Sequence, residues 1–174
     1  MRQSALLLPA LLAALLPAAC GVDPVREEAI DALGGEVAGV EPGPLHRPGQ
    51  PCVLCHDGDG PGGAVFSLAG TIHQIQNRPA PLPDAIVRFV DSRGRQHRTA
   101  TNCAGNFFVM REDYDPEFPV WVKLEFGGVE QAMGSPIFRE GSCAACHTPK
   151  PGKESAGPVY FAPTDVPFPP GCGS

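Results

Sequence analysis

The sequence predicts a mainly β fold: an antiparallel β-sandwich with one short N-terminal helix and two loops that carry cysteine motifs. Three observations lead there. Apolar residues recur at every second position in short runs between residues 64 and 133, with turn residues between the runs. Glycine and proline number 21 each, together 42 of 174 residues or about 24%, roughly twice ordinary usage. Both interrupt helices, which excludes a helical bundle. The seven cysteines are odd in number and too sparse for a disulfide-dense scaffold.

The chain opens with Met1-Arg2 and an apolar run over residues 5–16, too short to span a bilayer. Pro17-Ala18-Ala19 then supply small residues before Cys20. This pattern reads as a secretory signal, residues 1–19, and places the mature chain outside the cytosol. Leu16-Pro17-Ala18-Ala19-Cys20 also resembles a bacterial lipoprotein signal, although Pro17 stands where that family usually carries Leu. The resemblance implies a lipid on Cys20, and Gly21 after it implies sorting to the outer membrane. The alternative is ordinary cleavage that leaves Cys20 a plain thiol. The formal net charge is −6. An acidic chain argues against a nucleic-acid partner and against charge-driven binding to anionic lipid.

Residues 20–63 are expected to hold the anchor segment, the helix and the first motif loop. Asp23 suits an N-cap, Pro24 a first helical position and Gly34-Gly35 a stop, which predicts a helix over 23–34. Residues 39–51 are Pro/Gly-rich without periodicity and read as a wrapping loop or linker. Residues 64–138 are expected to form the sandwich. Strands are predicted over 65–75, 85–90, 95–101, 107–110, 120–126 and 129–133. Residues 77–84 read as a Pro-rich turn. Six strands return the chain to the end where it began, which places the two motif loops together. Residues 139–174 hold the second motif loop and a Pro/Gly-rich tail, expected to wrap the surface or trail into solvent.

Ala69-Gly70-Thr71-Ile72, the run from Asp84 to Asp91, Ser92-Arg93-Gly94, Thr101 and Gly105-Asn106-Phe107 together resemble the carboxypeptidase-regulatory-like and prealbumin-like (Ig-like) sandwiches of exported proteins. That resemblance implies a scaffold and little about activity.

The chemistry lies in a motif that occurs twice. Cys52-Val53-Leu54-Cys55-His56 and Cys143-Ala144-Ala145-Cys146-His147 are both C-x-x-C-H, the attachment signature of c-type haem. Each thiol S–H adds across one haem vinyl C=C. Sulfur bonds to one carbon and the hydrogen passes to the other. Two intervening residues let both sulfurs reach one porphyrin edge, and the adjacent His56 or His147 supplies the proximal iron ligand. The alternatives are a redox-active C-x-x-C, whose usual βαβ context is absent here, a shared zinc site, and two strained local disulfides.

The other cysteines are Cys103 and Cys172. An oxidising compartment favours a disulfide between them, tying the tail to the turn at residues 102–106; the alternative is two free thiols. For the distal iron positions the candidates are His46, six residues before Cys52, and Met133, ten residues before Cys143. Alternatively, His46 is a solvated loop residue and Met133 an apolar filler. His73 and His97 lie on predicted strands and are expected on solvent faces, with His73 the next candidate ligand.

The order of signal, helix, motif, sandwich, motif and tail resembles lipoprotein dihaem c-type cytochromes of delta-proteobacterial type. The residues that carry it are His46 through Cys52, Ala69-Gly70-Thr71, Asn102 through Phe107, Met133 and Gly141 through His147. It implies two haem c groups and electron transfer with redox partner proteins of the cell envelope, at the periplasmic face of the outer membrane or the cell surface. The expectation is an electron carrier rather than an enzyme. The other functions weighed are a haem enzyme or gas sensor with one open iron site, and an exported binding module without haem.

Overall fold

A computed structural model describes residues 23–36, 38–76, 78–161 and 167–172. The expected signal segment 1–19 and Cys20, the residue expected to carry a lipid, lie outside the described residues. Helix α1 (Pro24–Ala32) begins as its sequence dictates. The Asp23 carboxylate accepts hydrogen bonds from the Val25 and Arg26 amides at 3.0 and 3.4 Å, satisfying donors that have no partner within the helix. Arg26 fastens α1 to the body by pairing with Asp57 and donating to the Leu54 carbonyl at 3.3 Å. A single helical turn, α2 (Cys52–Cys55), follows. Among the described residues no helix is long and apolar enough to cross a membrane.

The described residues hold two sheets built from eight strands. They are β1 (Phe66–Ile75), β2 (Arg78–Pro81), β3 (Ile86–Val90), β4 (Gln96–Ala100), β5 (Asn106–Met110), β6 (Trp121–Phe126), β7 (Val129–Ala132) and β8 (Val159–Tyr160). One sheet centres on β1, which pairs antiparallel with β5 over its first half, antiparallel with β2 over its second, and parallel with β8. The other runs β4-β3-β6-β7 with every pair antiparallel. Leu68 and Ile72 of β1 and Phe107 and Val109 of β5 share one core with Val87 and Phe89 of β3 and Leu124 of β6. The protein is therefore mainly β, with two antiparallel-rich sheets packed through their apolar faces.

Two strands differ from the sequence expectation. β2 lies inside the segment read as a Pro-rich turn, and β8 inside the tail. Both are short and rich in, or preceded by, proline, so nothing local marks them; each is a strand only because β1 offers it an edge. The tail also contributes to the core. Phe161 is 0% exposed, and its amide donates to the His73 carbonyl at 3.1 Å. Phe168 stacks on Phe126 with ring centroids 5.9 Å apart. Cys103 and Cys172 lie at disulfide distance, with Cα atoms 4.9 Å apart, so the tail is tied to the turn the sequence singled out.

Asp91, 1% exposed, organises the β3–β4 turn. It accepts from the Arg93, Arg95 and Glu117 amides and from the Arg95 guanidinium. Burial by itself raises an aspartate, but these donors outweigh it and hold the Asp91 carboxyl below its ordinary value. A depressed folded pKa gives stability that is present above the ordinary aspartate value and lost as pH falls through the folded one. Urea midpoints are thus expected to fall below about pH 4, and Asp91→Asn is expected to lower the midpoint at neutral pH and flatten that dependence. Replacing both Cys103 and Cys172 by Ser is expected to cost about 2–4 kcal/mol of unfolding free energy. An unchanged urea midpoint would count against a formed disulfide.

Candidate functional site

The two C-x-x-C-H segments fold alike. In the first, the Leu54 amide donates to Pro51 O at 2.9 Å and the His56 amide to Cys52 O at 3.0 Å. In the second, the Ala145 amide donates to Ser142 O at 3.1 Å and the His147 amide to Cys143 O at 2.8 Å. Each motif is one helical turn, a 3₁₀ turn over Cys143–Ala145 in the second case. That winding brings both cysteines, three residues apart, to one side of the turn.

Both histidines are oriented by the same device. His56 Nδ1 lies 3.0 Å from the Ala64 carbonyl, and His147 Nδ1 lies 2.8 Å from the Gly157 carbonyl. A carbonyl only accepts, so each Nδ1 carries the proton and each Nε2 keeps its lone pair. This is how proteins set the tautomer and ring orientation of a metal-ligating imidazole. His56 also stacks on Phe66 with centroids 4.4 Å apart. The loop that supplies Ala64 is drawn in tightly. The Gly62 amide donates to Cys55 O at 2.8 Å and the Phe66 amide to His56 O at 2.6 Å.

All four motif cysteines are free thiols. Burial pushes the Cys52 and Cys55 thiols above the ordinary range and the Cys143 thiol up to about 12. A redox-active C-x-x-C requires the opposite, a lowered pKa that yields a thiolate. Nor do the pairs combine into a zinc site: among the described residues no group of three or more His, Cys, Asp or Glu is placed to hold a metal ion. Haem asks for less, because the porphyrin supplies four of the iron's ligands and the chain only one or two.

The second motif borders a cavity of about 870 Å³, lined in part by Cys143, Cys146, His147 and Met133. Its inner wall comes from both sheets, with Ile72 and Phe107 on one side and Val87, Val122 and Leu124 on the other. The cavity is thus a continuation of the core, mostly apolar and of cofactor size, a range of roughly 300–1,000 Å³. Met133 shares it with His147, and its amide donates to Val122 O at 3.0 Å. Cys143 reaches this position because residue 70 is glycine. A Cβ there would stand 2.7 Å from Cys143 Cβ and 2.9 Å from its Sγ.

At the first motif, the His46 ring centroid is 5.9 Å from that of His56. The loop carrying His46 is fastened to β1 and β5 by Thr71 and Asn106, residues that lie within the sequence resemblance but that it gave no role at the site. The other two histidines lie elsewhere in the sheets. His73 is half-buried on β1, with its ring 6.0 Å from Tyr160; His97 is half-buried and stacks on Tyr114 at 5.1 Å. Both stay partly exposed, each beside an aromatic ring.

The two motif turns adjoin. Leu54 of the first and Ser142 and Ala145 of the second line one cavity of about 340 Å³ together with Arg26 and Asp57. The expectation that the loops come together therefore holds, but for a different reason from strand parity. Both are fastened to β1, the second through a parallel bridge of Ser142 to Ala69.

A Cβ on residue 62 would stand 2.4 Å from His56 Nδ1 and 2.7 Å from Cys55 O, whereas Gly63 faces open space. Gly62→Ala is expected to displace the His56 ring and cost about 1–3 kcal/mol, with Gly63→Ala near neutral; equal thermal midpoints for the two variants would contradict this packing. No family model, no curated protein and no solved structure matches the chain.

Proposed function

We propose that this protein is an exported electron-transfer protein with two covalent c-type haems, the first on Cys52, Cys55 and His56 and the second on Cys143, Cys146 and His147. The observation that carries the proposal is the repeated geometry. Two one-turn C-x-x-C-H segments each present free thiols on one side, and each adjacent His is fixed by a backbone carbonyl with Nε2 left for a metal. Bound haem would supply a one-electron Fe(III)/Fe(II) couple. The chain's own residues would attach it and orient it. Cys52, Cys55, Cys143 and Cys146 would form thioethers by S–H addition to vinyl groups, a step that consumes no oxidant. Ala64 and Gly157 hold the imidazoles, and the mostly apolar walls of the cavity of about 870 Å³ border the second site.

His46 beside His56, and Met133, which lines the same cavity as the second motif, are the residues of this chain that would supply a second iron ligand at each haem. With both bound, no iron would stay open to a substrate, which favours a carrier over a haem enzyme or gas sensor. Met opposite His raises a haem potential and a second His lowers it, so the two centres would differ. Within the same proposal the sandwich is of the Ig-like or prealbumin-like type. The chain is held by a lipid on Cys20 at the periplasmic face of the outer membrane or the cell surface, and it meets redox partner proteins there and no nucleic acid. A second reading draws on the cavity alone: an exported binding module that takes an apolar ligand and leaves its thiols unmodified.

Haem content and absorption of the mature protein, produced in a strain that matures c-type cytochromes, separate the readings. Two haems per chain are expected, falling to one in Cys52→Ser/Cys55→Ser and to one in Cys143→Ser/Cys146→Ser. A weak long-wavelength Met–iron band is expected in the oxidised protein and absent in Met133→Ala. Colourless protein with four reactive thiols would overturn the haem proposal and favour the binding module.

A further inference from the structure

The loop that carries His46 has no regular structure, and its sequence reads as a linker. It is nonetheless held at several points by buried polar groups. Asn106, 5% exposed at the start of β5, donates from Nδ2 to the His46 carbonyl at 3.1 Å and to the Pro44 carbonyl at 3.3 Å. Its Oδ1 accepts from the Thr71 hydroxyl at 2.7 Å. Thr71, 6% exposed on β1, in turn accepts the Gly49 amide at 2.7 Å. Asn102 adds a bond from its Nδ2 to Pro44 O at 2.7 Å. A buried side-chain network of this kind is costly unless fully paired. Here it is paired by the backbone of a loop on either side of a single histidine.

We propose that His46 is the second axial ligand at the first haem, and that Asn106 and Thr71 are positioning residues that hold it there. The inference rests on the haem reading above and names residues acting at that same site. Two imidazoles on one metal, each through a bond of about 2 Å, have ring centroids about 6 Å apart, and the observed His46–His56 separation is 5.9 Å. Ligation through Nε2 requires the proton on Nδ1. In this structure the Gly43 amide donates to His46 Nδ1 at 3.4 Å, a long bond that ligation would exchange for a proton on Nδ1. Glu36 Oε1, held by Arg47 Nε at 2.7 Å, lies 4.0 Å from His46 Nδ1, beyond hydrogen-bond distance, and would become the acceptor for an Nδ1–H once the ring turns toward it. Arg47 also donates to Gln50 and to the Gly34 carbonyl, so the carboxylate is fixed from the same loop.

The test uses the haem-loaded protein. Asn106→Asp removes the two donors to the loop while keeping the side-chain shape, and Thr71→Val removes the acceptor of the Gly49 amide from the other side. His46→Ala removes the ligand itself. Carbon monoxide binding to the reduced protein reads an open iron position, which a purely structural defect would not create. No binding is expected in the wild type and one of the two haems is expected to bind in His46→Ala. Partial binding at that same haem is expected in Asn106→Asp and Thr71→Val, with the haem count still two and the Met–iron band unchanged. If His46→Ala keeps two haems and binds no carbon monoxide, His46 is not the ligand. If both clamp variants only lower the thermal midpoint and leave both irons closed, Asn106 and Thr71 are structural residues alone. Protein without haem would overturn the preceding reading instead.

Discussion

Strand β1 is hydrogen-bonded along both edges, and both cysteine turns depend on it. Along one edge the Ala69 amide donates to the Gly141 carbonyl just before the second motif, and the His73 carbonyl accepts the Phe161 amide just after β8. Along the other, Ile72 meets Gly105 and Leu82, and the Thr71 hydroxyl catches Gly49 before the first motif. Gly70, between these anchors, leaves the bare surface on which Cys143 lies. A strand holding loops from both ends of the chain is a rigid frame. Loops as rich in Pro and Gly as these could not supply one themselves, because a chemical site needs its groups held on regular elements.

The second cavity has a related cause. Ile72, Phe107, Val87 and Leu124 are core positions, yet they also line the space beside Cys143 and His147. These core side chains therefore face an open pocket of about 870 Å³, and apolar surface left to water costs stability. A covalently held haem would cover it. In that account the cofactor completes the core as well as carrying the electron.

The parts of the structure legible in the sequence are those with local causes. Asp23 and Pro24 mark the start of α1, the alternation in Ile86–Val90 and Trp121–Phe126 marks central strands, and the C-x-x-C-H spacing marks each turn. What stayed hidden is long-range. Val159 and Tyr160 become a strand only against Ile72 and His73. Nothing near Asn106 shows that its amide supports a loop some sixty residues earlier. The carbonyls of Ala64 and Gly157 carry no side-chain signature at all, because the backbone oxygen does the work. Of the seven cysteines, awkward as a disulfide count, the six among the described residues fall into separate tasks once placed: four free thiols in two turns and one bonded pair.

The central claim is that both turns are haem attachment sites, and mass spectrometry of peptides from the mature protein tests it most directly. The peptide spanning Cys52 to His56 and the peptide spanning Cys143 to His147 should each carry one haem mass, with none of their four cysteines open to alkylation after denaturation. Unmodified peptides with all four thiols alkylated, from cells that attach haem to other cytochromes, would contradict it.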